Sequence, residues 1–180
     1  MNKLDLALSD FNKALSIQNN YHDALNNKAL VLALMNDSTG TVLLNNVVQN
    51  NSDDYITLTN RGVIAYNNRD FANALSDFNN ALKIKNDYPE ALRGRSAIYY
   101  DQKKYNEAII DISAYLAVVP NNYDMLNRRA LCYINTDQPQ KAIDDLNRLI
   151  AVQPNNGVHY QGRGFMYIKL GNREKALDDM

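Results

Sequence analysis

The chain has 180 residues, of which 46% are hydrophobic and 22% charged, and its formal net charge is -1. Those proportions are ordinary for a globular protein and speak against intrinsic disorder. Basic and acidic side chains are balanced along the sequence, which argues against a nucleic-acid binder with its basic stripe and leaves no electrostatic reason to sit on an anionic membrane.

From the amino end, residues 3–18 predict one amphipathic helix, which reads as the second member of a pair without its first. Residues 22–54 predict a helix pair split by the polar turn Asp37-Ser38-Thr39-Gly40. Further pairs follow over 55–88, 89–122 and 123–156. The pattern is clearest in the third pair. There Leu92, Ser96 and Tyr99, then Tyr105, Ala108, Ile112, Tyr115 and Val119, step by three and four, interrupted once near Asp101-Gln102-Lys103-Lys104. Residues 157–180 add a first helix and the start of a second, giving an expectation of eleven helices and no strand. Helices of about 12 to 15 residues are marginal alone in water, so neighbouring hairpins must stack to bury their apolar faces. The expected organisation is a single array over 1–180, with a half repeat at 1–21 and a partial repeat at 157–180. Met180 falls where the pattern places a core residue, which suggests a fragment of a longer array.

The pairs share one period, of about 34 residues. Ala74, Ala108, Ala142 and Ala176 are evenly spaced at that interval, and so are Gly62, Ser96, Ala130 and Gly164. Arg61, Arg95, Arg129 and Arg163 keep the same spacing, as do Leu58, Leu92, Leu126 and Tyr160. This helix–turn–helix period resembles that of the tetratricopeptide repeat family. Ala74-x-x-x-Phe78-x-x-Ala81 and Ala7-x-x-x-Phe11-x-x-Ala14 resemble the family's second-helix signature, and Pro120 and Pro154 stand at its repeat-ending proline, replaced by Asn19 and Asn86 elsewhere. Asn60-Arg61-Gly62 and Gln161-Gly162-Arg163-Gly164 look like the Asn-Arg-Gly variant of bacterial members. The usual first-helix tryptophan is absent, with Leu or Tyr in its place. The resemblance covers essentially the whole chain and implies an all-α fold, a right-handed α-solenoid of stacked hairpins.

Repeat 22–54 departs from the others. The step from Leu25 to Leu58 falls one short of the common period, so Thr41 is expected where the others have Ala, Asn45 where they have a large apolar residue, and the turn before them is expected to be loose. Hydrogen exchange is expected to be fastest over 38–54. The repeated Arg has a matching acidic column at Asp77, Asp111, Asp145 and Asp179, and both columns fail together in this repeat, at Lys28 and Leu44. Joint loss predicts a part-buried Arg–Asp pair joining the two helices of each hairpin, since the planar guanidinium can meet a carboxylate with two hydrogen bonds. The alternative is a ladder of Arg that binds anionic ligands.

Signs of chemistry are scarce. The seven glycines are scattered and form no phosphate loop, and neither His-Glu-x-x-His nor paired cysteines occur. His22 and His159 read as surface residues, and Cys132, the sole cysteine, as a small packed side chain. Neither zinc nor a disulfide is expected. No run of 18 apolar residues predicts a membrane span. The segment Met1-Asn2-Lys3-Leu4-Asp5-Leu6 does not read as a secretory signal. The expectation is a non-enzyme with no cofactor and no metal, with a compartment that is cytoplasmic or bacterial envelope-associated.

Tyrosine is abundant, at 12 against 4 Phe. Tyr99, Tyr133 and Tyr167 share one core column, whereas Tyr66 and Tyr100 lie one step along, in a column the resemblance places on a concave groove. That groove is expected to include Asn26, Thr59, Val63, Tyr66, Asn67, Arg93, Ala97, Tyr100, Asp101, Asn127, Leu131, Asn135, Gln161, Phe165 and Lys169. Its amides can hydrogen-bond an extended peptide backbone, and its Tyr rings can anchor one. The carboxylate clamp of chaperone-binding members is not supported, because Asn26 and Leu30 stand where its Lys and Asn would begin. The implied function is a scaffold that holds a peptide or a partner subunit. The alternative is a regulatory or targeting module of a larger protein, either a bacterial envelope-assembly component or a multidomain enzyme.

Overall fold

Each first helix of a pair ends in the same way. In the computed structural model, which describes residues 3–50 and 53–179, Asn36, Arg69, Lys103, Asp137 and Gly171 all take a left-handed backbone conformation, with φ between 55° and 74°. The following N–H then reaches back to close the helix: Asp70 to the Ala65 carbonyl, Lys104 to Tyr99, Gln138 to Tyr133 and Asn172 to Tyr167. This is the Schellman arrangement, which satisfies carbonyls that a helix end otherwise leaves without partners. Only Gly171 adopts that φ without a Cβ penalty. The next helix starts at once. Asp70 accepts from the Asn73 N–H and Asn172 from the Lys175 N–H. At the starts of first helices, Asp54, Asn122 and Asn156 cap in the same manner.

Among the described residues there are eleven helices and no strand: α1 (Lys3–Ile17), α2 (His22–Leu34), α3 (Thr39–Asn50), α4 (Tyr55–Asn67), α5 (Phe71–Ile84), α6 (Pro89–Asp101), α7 (Tyr105–Val118), α8 (Tyr123–Asn135), α9 (Pro139–Val152), α10 (Gly157–Lys169) and α11 (Arg173–Asp178). The all-α expectation of hairpins stacked on hairpins holds. The expected core residue Met180 lies outside the described residues.

The chain divides into two compact units, 1–94 and 95–180. In the first, α1 packs on α2, α2 on α3 and α4, and α4 on α5. Its centre includes Phe78, fully buried. A Cβ added at Gly62 would lie 2.8 Å from the Phe78 ring, and one at Gly94 only 2.3 Å from it. Those two glycines therefore make the space that the ring fills. In the second unit, α7 packs on α8, α8 on α9, α9 on α10, and α10 on α11. Its core gathers Tyr133, Ala142, Ile143 and Met166, with Ile109, Ile134 and Tyr167 packed around them. The repeated small residues Ser96, Ala108, Ala130 and Ala142 are all buried, as their role in close helix approach requires.

The register of repeat 22–54 differs from the sequence-based expectation. Gly40, not Thr41, stands against the first helix, where an added Cβ would come 2.6 Å from the Ala29 carbonyl oxygen. Leu44, not Asn45, is the fully buried apolar residue, clustered with Ala29 and Ile64. Asn36 precedes Arg69, its counterpart in the next turn, by one position less than the period, whereas Gly40 precedes Ala74 by the full period. The missing residue therefore falls between Asn36 and Gly40. The stretch from Asn36 to Gly40 is thus one residue shorter than its counterpart from Arg69 to Ala74, and Gly40 permits the close approach of α3 to α2. With that register the acidic column meets Leu43 rather than Leu44.

Candidate functional site

Four Arg–Asp pairs join the two helices of successive hairpins. Arg61 Nε donates to Asp77 Oδ2 at 2.8 Å and Nη2 to Oδ1 at 2.6 Å. The same two-pronged geometry recurs at Arg95–Asp111, Arg129–Asp145 and Arg163–Asp179. The Asp side chains are 2–5% exposed and the Arg side chains 17–26%, so each pair lies largely out of water, where such bonds are strong. The hydrogen bond that each guanidinium donates to its Asp is the main cause that raises its pKa, against the opposing cost of burial. These Arg are thus structural, and the reading of them as a ladder for anionic ligands falls.

One contact of these Arg escaped the sequence reading. The third arm, Nη1, reaches to the preceding hairpin: Arg61 to Asn45 at 3.2 Å, Arg129 to Ser113 at 3.2 Å and Arg163 to Asn147 at 2.6 Å. The signal was available, because Asn45, Asn79, Ser113 and Asn147 recur at the common period. Arg95, Arg129 and Arg163 also lie over Tyr99, Tyr133 and Tyr167, one helical turn on, with centroid distances of 5.9, 5.8 and 5.9 Å. Lys141 and Lys175 approach the Tyr133 and Tyr167 rings from the second helices at 5.6 and 5.5 Å.

The expected groove residues fall into three groups. Asn26 and Thr59 are buried, which corrects their placement on an open lining. Asn26 accepts from the Thr57 hydroxyl at 2.9 Å, tying α2 to α4, and the Thr59 hydroxyl donates to the Tyr55 carbonyl at 2.7 Å. Both side chains are spent within the fold. Val63, Tyr66, Ala97, Tyr100 and Asn127 are half-buried. Tyr66 packs against Phe71 at 5.6 Å and Tyr100 against Tyr105 at 5.7 Å, with Arg128 over the Tyr100 ring at 5.5 Å. Asn67 and Arg93 in the first unit are exposed, as are Asp101, Leu131, Asn135, Gln161, Phe165 and Lys169 in the second. Leu131 and Phe165 are 38% and 51% exposed, large apolar side chains at one repeat position on α8 and α10.

Two further placements bear on chemistry. Cys132 is fully buried, and desolvation pushes its thiol up to about 11, which makes it an inert packing residue. His159 is buried, contrary to the expectation of a surface residue. Its Nε2 lies 3.0 Å from Gln153 Oε1 and 2.9 Å from Asn156 Nδ2, and its Nδ1 is buried with no hydrogen-bond partner among the described residues. Burial lowers its pKa. Among the described residues, no three His, Cys, Asp or Glu side chains gather as metal ligands, and no helix is long and apolar enough to cross a membrane.

The fold and this surface define a helical-hairpin repeat protein, built from a recurring Arg–Asp–Tyr unit and leaving exposed apolar and amide side chains on its first helices. The chain belongs to the tetratricopeptide repeat family, whose members bind proteins or peptides: the family's repeat model matches residues 59–117 and 98–157, more than half of the sequence. No curated protein sequence matches it. Among solved structures, MamA from strain AMB-1 is similar, at 19% identity and a TM-score of 0.77, over 86% of this chain and 85% of that one. A MamA fragment from Desulfovibrio magneticus RS-1 is 18% identical with a TM-score of 0.67, over 99% and 92%. A tetratricopeptide repeat protein from Parabacteroides merdae is 19% identical with a TM-score of 0.68, over 98% and 70%. At these identities the likeness is one of fold.

Proposed function

We propose that the chain is a non-catalytic scaffold that docks a peptide or partner subunit on the exposed faces of its first helices. The observation that carries this reading is the pair Leu131 and Phe165 in the second unit. They project from equivalent positions of α8 and α10, whose neighbours Tyr133 and Met166 share one buried cluster. Asn135 and Gln161 are exposed on the same two helices. An apolar anchor flanked by amides suits an extended peptide, which needs both side-chain burial and backbone hydrogen bonds. Half-buried Tyr100, held by Tyr105 and Arg128, extends the surface with a ring that is already ordered. In the first unit, Val63, Tyr66, Asn67 and Arg93 are the corresponding candidates. Family membership supports the reading, because tetratricopeptide repeats bind proteins or peptides.

The test is affinity capture from the source cell with the native chain and with Phe165→Ala and Leu131→Ala. Each substitution is expected to weaken capture of a specific partner by about 1–2 kcal/mol, or roughly five- to thirtyfold, while the helical circular dichroism stays unchanged. An identical partner set, at undiminished affinity, with both residues replaced would show that this face is not the site.

A further inference from the structure

One repeat lacks the ring that its siblings place over the arginine. The column that holds Tyr99, Tyr133 and Tyr167 has Ala65 in repeat 55–88, and the column that holds Leu75, Ile109 and Ile143 has Thr41 in the repeat before it. These two departures meet. In the second unit Tyr133 shares a buried cluster with Ile143 of its own hairpin, Ile109 of the preceding hairpin packs against that cluster, and Arg129 lies over the Tyr133 ring. At the matching place in the first unit there is a cavity of about 320 Å³, walled by Thr41, Asn45, Arg61 and Ala65. Exposed Asp70, Asn73 and Ser76 line its mouth, so it is open to solvent. Arg61 keeps its two bonds to Asp77 and its arm to Asn45. Its side chain is the most exposed of the four paired arginines, at 26%.

We propose that this cavity receives an aromatic side chain, a tyrosine of a partner protein, in the space that the chain's own tyrosines occupy in later repeats. The Arg61 guanidinium is held flat by Asp77 and offers its face to a ring, as Arg129 and Arg163 do at 5.8 and 5.9 Å. Ile64 and Ala65 supply apolar contact, while the Asp70 carboxylate and the Asn73 and Ser76 side chains supply acceptors for a phenol hydroxyl. The other repeats act as an internal template, because they show that a phenol ring fits over this arginine in this backbone frame. None of the cavity walls belongs to the first-helix surface assigned above, so the two sites stand or fall separately.

The test titrates the full chain with N-acetyl-tyrosinamide and with N-acetyl-alaninamide, following backbone amide resonances by NMR. The tyrosine probe is expected to give saturable shifts at residues 41–45, 61–65 and 70–77, with a millimolar or tighter dissociation constant, while the alanine probe gives none. Ala65→Tyr supplies the missing ring from within. It is expected to raise the melting temperature and weaken the probe at least tenfold. Thr41→Ile narrows the same cavity from the opposite wall, is expected to weaken the probe several-fold, and serves if the first variant does not fold. Absence of saturable shifts at the cavity, equal binding of the alanine probe, or undiminished binding in the folded variants would each overturn the assignment.

Discussion

Removing one partner of Arg129–Asp145 tests what holds the hairpins closed. The carboxylate is 4% exposed and accepts two guanidinium hydrogen bonds at 2.7 Å. Arg129→Met leaves that charge buried with neither bond, and breaking a buried pair in this way costs about 3–5 kcal/mol. Asp145→Asn keeps the shape and one acceptor oxygen, so its cost is set by the loss of one charge-assisted bond, about 1.5–3 kcal/mol. The double replacement Arg129→Met with Asp145→Leu removes both charges and the need to solvate either. Its cost is expected to fall short of the sum of the corresponding single replacements by about 2–3 kcal/mol. Urea unfolding followed by far-ultraviolet circular dichroism is the suitable assay, since an ionic denaturant would screen the pair. A cost below about 1 kcal/mol for Arg129→Met, or strict additivity in the double variant, would refute the claim that the pair braces the hairpin.

Four further outcomes follow from the packing. Gly40→Ala forces a methyl group to 2.6 Å from the Ala29 carbonyl and is expected to cost about 1–3 kcal/mol. Gly162→Ala, whose methyl would meet only Leu146 methyls at 3.6 Å, is expected to stabilise by about 0.5–1 kcal/mol; paired urea titrations decide both signs. Burial holds the folded His159 pKa below 6.5, so the unfolded chain binds the proton first as pH falls. The contribution of neutral His159 is present above about pH 6.5 and is lost as pH drops through the folded value. His159→Gln is expected to flatten the urea-midpoint profile between about pH 7.5 and about pH 5, and a profile unchanged by the substitution would remove this account. Finally, α2–α3 has Lys28 and Leu43 in place of the Arg–Asp pair, so α3 amides are expected to exchange faster than those of α5 or α9. Equal protection by mass spectrometry would count against that.

The helices and their pairing were legible in the sequence because a fixed period repeats every structural demand in the same column. The Arg–Asp brace was legible for the same reason, through the joint failure of both columns in one repeat. What misled was a single missing position. A deletion of one position between Asn36 and Gly40 shifts α3 against α2, and counting from Leu25 carried the wrong offset into Thr41 and Asn45. Burial of polar side chains was also illegible. Asn26, Thr59 and His159 sit at positions that look exposed by type, and only the hydrogen bonds of Asn26 and Thr59 and the burial of the His159 ring reveal otherwise. The cavity beside Ala65 escaped because it depends on two residues in different repeats being small or polar together.

The third arm of each guanidinium has a mechanical meaning. Arg163 clasps Asp179 within its own hairpin and Asn147 in the one before, and Arg129 likewise spans Asp145 and Ser113. One cation thus serves two successive layers, so a layer cannot melt without stripping a donor from its neighbour. Within such a unit, loss of order at one end weakens the next layer, and unfolding spreads inward like an undone zip.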